Sequence, residues 1–271
     1  MTGRGDLIKS GGRVMKNVTG YDLCKLFAGS FGTLGAMTDL TFKVLPAPEE
    51  SATLLVTCAE RERGFALLRA AIGSAYDVAG AAFLPESALA ASSLAGRIGA
   101  GAGLAAIRIE GPGPSVRYRA DALRSALATN GGSIDEIEGD ASLTLWREIR
   151  DAALLPREAD ALWRLSVPPA AGPGLLTDLE RKLAFDWLAD WSGGLLWLAV
   201  HDEEEDGGAP AIREVIAAPG GHATLIRAPA GLRLRIEVFQ PQPAALARLS
   251  ARVKESFDPK GILNPGRMHA K

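Results

Sequence analysis

The most constraining feature of this 271-residue sequence is a glycine-rich stretch near its start. Residues 10–35 read SGGRVMKNVTGYDLCKLFAGSFGTLG and carry glycine at positions 11, 12, 20, 29, 32 and 35. Glycine at this density predicts turns with positive φ and a backbone that lies close to another group. Between these turns, Leu23, Leu26 and Phe27 recur at helical spacing, and Asp22 is placed to cap that short helix.

After the glycines the hydrophobic period changes to that of a strand. Apolar residues at 34, 36, 40, 42 and 44 alternate with residues 37, 39, 41 and 43, which predicts a half-buried strand that ends at Pro46 and Pro48. The PAPEE segment that contains these prolines is a candidate domain boundary.

The remainder alternates short strands with helices and shows no internal repeat. Strands are predicted at 53–57, 78–83, 104–110, 133–138, 162–167, 195–200 and 222–227. Helices are predicted at 61–72, 85–95, 116–129, 142–150, 175–183, 210–217 and 244–257. The HDEEEDGG loop at 201–208 is predicted to be a solvated acidic excursion, and FDPKGILNPGRMHAK at the end predicts two successive turns after a long helix.

Composition excludes several classes of function. The 30 Lys and Arg residues balance 32 Asp and Glu residues, and no basic cluster suggests a nucleic-acid partner. The longest apolar runs, such as Leu195 to Val200, are far shorter than the roughly 18 residues that a membrane span needs. The first residues lack the layout of a secretion signal, so a cytoplasmic location is expected.

Cysteine and histidine are too sparse for metal chemistry by this chain alone. Cys24 and Cys58 lack paired spacing and are expected to be reduced thiols, while His201, His222 and His269 lack the spacing of a metal site. No metal ligands are therefore predicted. Motifs of serine hydrolases, phosphate-binding loops and Rossmann folds are also missing from the sequence, which favours chemistry supplied by a bound organic cofactor.

Two segments carry a resemblance to one family. VMKNVTGYDLCKLFAGSFGTLGAMTDLTFKVLP resembles the second half of the FAD-binding domain of vanillyl-alcohol-oxidase-type flavoenzymes, and FDPKGILNPGRM is similar to the ending of the same family. Within that family, KNVTGYD together with the isolated GGHAT at 220–224 looks most like the FAD-binding subunits of glycolate oxidase. The matching motifs are dense only at residues 9–48 and 255–269.

The resemblance implies an α+β fold in three segments. Residues 1–48 would form the second lobe of a PCMH-type FAD-binding domain, residues 49–235 a cap domain of antiparallel sheet with helices on one face, and residues 236–271 a return to the FAD-binding domain. The family's first FAD-binding lobe, of roughly a hundred residues or more, is expected to precede residue 1 and is absent from this sequence. Weak or no FAD binding by the chain alone is therefore expected, and uncovered apolar surface would favour aggregation without a partner.

FAD is the implied cofactor, and a set of residues is implied to contact it. The resemblance places these at Lys16, Asn17, Tyr21, Asp22, Gly29, Ser30, Gly32, Thr33, Leu34, Gly35, Met37 and Asn264. On physical grounds, glycines of the GSFGTLG loop remove Cβ atoms where the chain would lie flat against a planar or diphosphate group, and Ser30 and Thr33 offer donors to anionic oxygens. A lone glycine-rich loop can equally serve only to turn a helix into a strand.

Several assignments leave two interpretations open. Tyr21 can stack on the cofactor or donate its hydroxyl, whereas Lys16 can instead neutralise Asp22, and Asn17 can satisfy a turn. Arg267 can bind a substrate carboxylate as a bidentate fork, or it can pair with a surface acid. His222, which follows two glycines at a strand start, is the candidate catalytic base.

The implied function is that of a glycolate-oxidase-type FAD subunit. A small 2-hydroxy acid, with glycolate as the first choice, would be oxidised to a 2-oxo acid, glyoxylate in that case. The implied partners are a homologous flavin subunit and an iron–sulfur subunit. Two alternatives remain: a non-catalytic assembly subunit of that complex, and a related flavin oxidoreductase for another hydroxy acid or an alcohol.

Overall fold

The chain divides into two compact units. The computed structural model describes residues 1–14, 16, 20–96, 101–128, 133–201 and 206–268. Unit 1 combines the two ends of the chain, Met1–Pro46 and Glu237–Lys271, and unit 2 is the continuous segment Ala47–Ile236. The assignment of unit 1 as part of a cofactor domain and of unit 2 as a cap stays a prediction.

Unit 2 is built on one antiparallel sheet of eight strands. Its strand order is β4-β1-β3-β2-β6-β7-β5-β8. The strands, numbered along the chain, are β1 Glu50–Cys58, β2 Gly80–Leu84, β3 Gly103–Gly111, β4 Ile134–Glu138, β5 Ala161–Ser166, β6 Ala184–Asp190, β7 Leu195–His201 and β8 His222–Arg227. Each of these eight was predicted near its observed position except β6, which forms because its whole length pairs with β7.

The helices of the described chain differ more from prediction at their ends. They are α1 Leu23–Phe27, α2 Arg61–Ile72, α3 Glu86–Ala90, α4 Gly113–Ala128, α5 Gly139–Arg150, α6 Gly172–Glu180, α7 Ala209–Ala217, α8 Ala230–Arg235 and α9 Ala244–Phe257. Asp22 caps α1 as predicted, since its side chain accepts a hydrogen bond from the Lys25 N–H. Helix α8 was not predicted. None of the described helices combines the length and the apolar character that crossing a lipid bilayer requires.

Helices cover both faces of the sheet, not one face as predicted. Phe83 of β2 stacks on Phe65 of α2, whereas its neighbours Ala82 and Leu84 pack in a cluster with Leu145 of α5. Successive strand residues point to opposite faces, so α2 and α5 lie on opposite sides. The central strands are apolar at consecutive positions and therefore bury both faces. The predicted class, a mixed fold of helices and antiparallel sheet, is confirmed.

The strand predicted at 34–44 does not form. No residue from 36 to 48 has regular secondary structure, and this segment is exposed throughout. Its apolar residues are among the most exposed of the chain, with Phe42 at 76% and Val44 at 79%. Alternation favours an extended chain, but a strand also needs a hydrogen-bonded neighbour along its length, and among the described residues this segment makes such backbone bonds only at Ala36, to Met1.

Three aromatic rings join the two halves of the sheet. Strands β2 and β6 share only the pair Phe83 and Ala189, so the backbone ladder between the halves is short. Phe65, Phe83 and Trp187 stack there with ring centroids 5.5, 6.3 and 5.8 Å apart. All three side chains are buried. Side-chain stacking therefore replaces hydrogen bonding as the main link between the halves.

We expect Phe65→Ala to destabilise unit 2 by about 3 to 5 kcal/mol, because it empties a site with no solvent exposure and breaks two ring contacts. Urea unfolding followed by tryptophan fluorescence measures the change. Tyr118→Ala is the control, since Tyr118 lies on α4 with 71% of its surface exposed and should change stability by less than about 0.5 kcal/mol. Equal effects of the two substitutions would contradict this role for the stack.

Candidate functional site

The glycine-rich loop of unit 1 is a series of tight turns after α1. The Ser30 N–H donates to the Phe27 carbonyl and the Thr33 N–H donates to the Ser30 carbonyl, at 3.1 and 3.0 Å. Phe31 and Gly32 both have positive φ, 52° and 72°. Ser30, Thr33 and the next residue, Leu34, are buried at 8% exposure each. The loop thus turns the chain sharply and directs these side chains inward.

Both hydrogen-bond donors of Thr33, its backbone N–H and its hydroxyl, are engaged within the loop. Its hydroxyl donates to the Ser30 carbonyl at 2.7 Å, next to the bond that its own N–H makes to the same oxygen. A donor that is engaged and buried is a poor partner for an external anion. The prediction that Thr33 offers its donors to cofactor oxygens is therefore not supported by this arrangement, in which Thr33 stabilises the turn.

Two of the loop glycines lie against protein atoms. A Cβ at Gly32 would lie 2.7 Å from Nδ2 of Asn264, and a Cβ at Gly35 would lie 2.5 Å from a ring carbon of Phe27. Both distances are shorter than any normal contact, so these glycines are needed for packing within unit 1. Gly29 differs, because its φ is 82° and no atom lies within 4 Å of the position that a Cβ would take. Of these three glycines, only Gly29 leaves open space beside the backbone.

The C-terminal motif folds around the buried carboxylate of Asp258. This carboxylate accepts hydrogen bonds from the N–H groups of Ile262 and Leu263, at 3.2 and 2.8 Å, and from the ammonium group of Lys254. Burial acts to raise the pKa of Asp258, but the Lys254 bond and the two N–H bonds outweigh it and hold the pKa below its usual value. The ionised carboxylate therefore fixes the turn that follows α9.

Lys254 joins this turn to the glycine-rich loop. Besides Asp258, its ammonium group donates to the Thr33 carbonyl at 2.6 Å and to the Leu263 carbonyl at 2.9 Å. All three donors of the ammonium group are thus engaged. The sequence analysis did not identify Lys254. Its position could have indicated an i,i+4 ion pair, because it lies four residues before Asp258 at the end of a predicted helix.

Asn264 and Arg267 also reach the loop. The Asn264 side-chain amide donates to the Phe31 carbonyl at 2.7 Å, and the Arg267 guanidinium lies 5.7 Å from the centroid of the Phe31 ring. One interpretation of Arg267 was that it pairs with a surface acid, but no ion pair of Arg267 is seen among the described residues. The guanidinium instead rests on an aromatic face, where its N–H edges stay available.

The two motifs thus meet, and we call the meeting point of residues 27–36 and 254–268 the loop junction. Phe27 and Phe257 pack edge to face across it with ring centroids 5.0 Å apart. The chain start closes one side, since the Met1 carbonyl accepts from the Ala36 N–H at 2.9 Å. Sequence positions more than 200 residues apart are brought into contact.

Other predicted site residues lie away from the loop junction contacts. Tyr21 is 92% exposed, Met37 is 52% exposed, and Lys16 is exposed without regular structure. Asp22 pairs with Lys25, not with Lys16, and the hydrogen bond from Lys25 lowers the pKa of the Asp22 carboxyl. Asn17 lies outside the described residues.

His222 belongs to unit 2. It opens β8, the edge strand of the sheet, opposite Ser166 of β5, and its side chain is exposed. Its role as a base stays a prediction. The described residues contain no group of three or more His, Cys, Asp or Glu side chains that could hold a metal ion.

We expect Gly32→Ala to destabilise unit 1 more than Gly29→Ala. Both substitutions place alanine at positive φ, at a cost of about 1 to 2 kcal/mol, but only Gly32→Ala also pushes the Asn264 amide away from the Phe31 carbonyl, at a further cost of about 0.5 to 1.5 kcal/mol for the lost hydrogen bond. Hydrogen–deuterium exchange of residues 23–36 reports the stability of this segment. Equal exchange in the two variants would show that the Asn264 contact does not constrain the loop.

We expect Asp258 to make the stability of the folded chain depend on pH in the acidic range. Because its pKa is lower in the folded chain than the value of about 4 in an unfolded chain, its contribution is present above that value and is lost as pH falls through the folded pKa. Asp258→Asn should therefore lower the unfolding temperature at neutral pH and reduce its further fall in acid. The control is Asp77→Asn, whose carboxylate is 96% exposed and which should leave the pH profile unchanged.

Comparison with curated proteins finds relatives along the whole chain. It is 33% identical, over all of its residues, to glycolate oxidase subunit GlcE of Escherichia coli (strain K12) and covers 63% of that protein. A segment of 51 residues is 53% identical to glycolate oxidase subunit GlcD of Bacillus subtilis (strain 168), which is 19% of this chain and 11% of that protein. The chain is also 26% identical, over 97% of its length, to an FAD-linked oxidoreductase of Mycobacterium tuberculosis, of which it covers 61%. It thus spans less than two thirds of these relatives. No protein-family model matches the chain.

Solved structures share the fold at low sequence identity. Alkyldihydroxyacetonephosphate synthase superposes with a TM-score of 0.60 at 15% identity, covering 93% of this chain and 51% of that one. 4-Ethylphenol oxidase from Gulosibacter chungangensis gives a TM-score of 0.55 at 17% identity, covering 83% and 55%. The resemblance predicted from the two motifs is confirmed: the chain is similar along all of its residues to glycolate oxidase subunit GlcE, and it shares the fold of alkyldihydroxyacetonephosphate synthase and 4-ethylphenol oxidase.

Proposed function

We propose that this chain is the FAD-binding part of a hydroxy-acid oxidoreductase subunit of the glycolate oxidase type. The observation that carries the proposal is the loop junction, where the two motifs shared with flavoenzymes contact each other through Lys254, Asn264 and Arg267. Its support from comparison is the 33% identity to GlcE across the chain. Flavin, when bound, would supply the hydride acceptor for oxidation of the substrate alcohol.

The residues of the loop junction fit part of a flavin cofactor. Gly29 leaves open backbone at its edge, Gly32 is exposed on the same loop, and Asn264 is exposed on the C-terminal turn that contacts this loop. Beyond it, the chain from Met37 to Asp39 is exposed and outside regular structure, which suits backbone contact with a long dinucleotide. We assign Gly29, Gly32, Met37 and Asn264 to cofactor contact, and Ser30, Thr33, Leu34 and Gly35 to holding the loop in shape.

Arg267 is the residue we assign to the substrate carboxylate. Its guanidinium is exposed and held over the Phe31 ring, and a guanidinium so held can offer two parallel N–H groups to a carboxylate. Every 2-hydroxy acid presents such a carboxylate. Glycolate, oxidised to glyoxylate, is the first substrate to test, and another 2-hydroxy acid is the alternative.

A homologous flavin subunit and an iron–sulfur subunit are the proposed partners. The exposed segment 36–45 carries Leu40, Phe42 and Val44 at 58, 76 and 79% exposure, together with Leu45 at 82%. Apolar surface of this kind, concentrated on one segment, is typical of a covered interface. We propose that the flavin subunit covers it and that the iron–sulfur subunit accepts the electrons.

A non-catalytic role in assembling the complex is the second candidate. It is favoured by one observation, the engagement of both Thr33 donors inside the loop, which leaves fewer groups for a cofactor than the motif suggested. In that case the loop junction would serve only to present the exposed segment to the partner.

Co-expression with the two partner subunits tests the proposal. We expect little flavin absorbance from the chain alone, and flavin together with glycolate-dependent dye reduction from the complex. Arg267→Gln should raise KM for glycolate by about tenfold or more without lowering flavin content, because a charged bidentate contact is lost. Arg248→Gln on α9, also exposed, should behave like the unchanged protein.

The other outcomes separate the alternatives. Activity with D-lactate or another 2-hydroxy acid, but not with glycolate, would keep the chemistry and change the substrate. Flavin content and activity of the complex that survive Gly29→Asp and Asn264→Ala in this chain would overturn flavin binding here and favour the assembly role.

A further inference from the structure

Unit 2 contains a cavity that the proposed function does not use. It has a volume of about 420 Å³ and lies where the end of α2 and the start of β2 meet the turn between β6 and β7. Its walls are mainly apolar and include Ile72, Ala81, Pro169 and Trp191. A volume of this size is within the range of pockets that hold small organic ligands.

The turn that forms one wall is strained. Trp191 and Ser192 both have positive φ, 50° and 56°, although neither is glycine. A non-glycine residue in this conformation is strained, and such residues cluster at binding sites. Asp190 holds the turn in place, since its carboxylate accepts a hydrogen bond from the Trp191 N–H at 2.7 Å.

The same turn leaves a buried hydroxyl without a hydrogen-bond partner. Ser192 is 5% exposed and lines the cavity, and its Oγ has no partner among the described residues. A buried hydroxyl in this state costs free energy unless a ligand or an ordered water satisfies it. Because Ser192 Oγ has almost no accessible surface, it does not open into the cavity, and the polar group of a cavity ligand must pair with another side chain.

Two further side chains define the chemistry of that group. Trp191 is 56% exposed, and its ring is fixed by the Arg164 guanidinium 5.4 Å from its centroid. Arg69 lines the cavity near the end of α2, and no ion pair engages it among the described residues. A fixed indole offers a surface for a planar ring, while a guanidinium that no ion pair engages in the described chain suits a carboxylate.

We propose that this cavity binds a small planar aromatic carboxylate. The ring packs against Trp191 and Ile72, and the carboxylate pairs with Arg69. The site lies wholly within unit 2, and it shares no residue with the loop junction. Its occupancy therefore does not depend on the proposed oxidation.

Titration of the ¹⁵N-labelled chain with 2-naphthoate tests the proposal. We expect a saturable shift of the Trp191 side-chain N–H signal, assigned by its loss in Trp191→Phe, with a Kd on the order of 1 mM. Arg69→Gln should weaken binding about tenfold, because it removes the charge that pairs with the carboxylate. Arg147→Gln makes the same change on the exposed side of α5, away from the cavity, and should leave Kd unchanged.

Two more measurements distinguish binding at a specific site from non-specific binding. The neutral analogue 2-naphthalenemethanol should bind about tenfold more weakly than 2-naphthoate. Ser192→Gly should raise the unfolding temperature, because glycine relieves the positive φ and removes the unpaired hydroxyl, and it should leave the Kd for 2-naphthoate unchanged, because that hydroxyl does not contact the ligand. The proposal is overturned if the Trp191 signal does not respond, if Arg69→Gln binds as tightly as the unchanged chain, or if the alcohol binds equally well.

Discussion

The ammonium group of Lys254 is the contact on which the organisation of unit 1 depends. It bonds to the Thr33 carbonyl, 221 residues away in sequence, and to Asp258 and the Leu263 carbonyl near it. Buried acceptors of this kind are costly to leave without a donor, so one side chain stabilises the glycine-rich loop and the C-terminal turn together. Gly32 and Gly35 follow from this arrangement, because the chain at these two positions passes close to Asn264 and Phe27.

Unit 2 is held together by a different kind of interaction. Its sheet is covered on both faces, and its two halves share few backbone hydrogen bonds, so packing of Phe65, Phe83 and Trp187 supplies the link. Where the chain leaves this packed region, between β6 and β7, it adopts the strained turn at Trp191 and Ser192. Backbone strain and an unsatisfied hydroxyl thus occur together beside the cavity, at a place where the surrounding core is rigid.

The two units contribute different parts of the proposed function. In unit 1 the shared motifs create a shaped loop with exposed edges, while the segment that follows is exposed, rich in apolar side chains and outside regular secondary structure. An exposed backbone with apolar side chains is a surface on which a partner can add a strand or a cover. The proposed complex with a homologous flavin subunit would explain why a chain with a well-packed unit 2 keeps this segment uncovered.

The sequence by itself determined the similarity to glycolate oxidase subunit GlcE, the class of fold and most elements of unit 2, because apolar periodicity and the two motifs are local signals. It also predicted the cap at Asp22, which depends only on neighbouring residues. Only the tertiary structure decided the rest. Segment 34–44 has the alternation of a strand but no partner strand in the described chain. Strand β6 forms because β7 pairs with it. Lys254 gains its role from the Thr33 carbonyl, an acceptor that is remote in sequence. Hydrogen-bond partners and burial between distant segments are not encoded in any local pattern, so these features could be found only after the chain was folded.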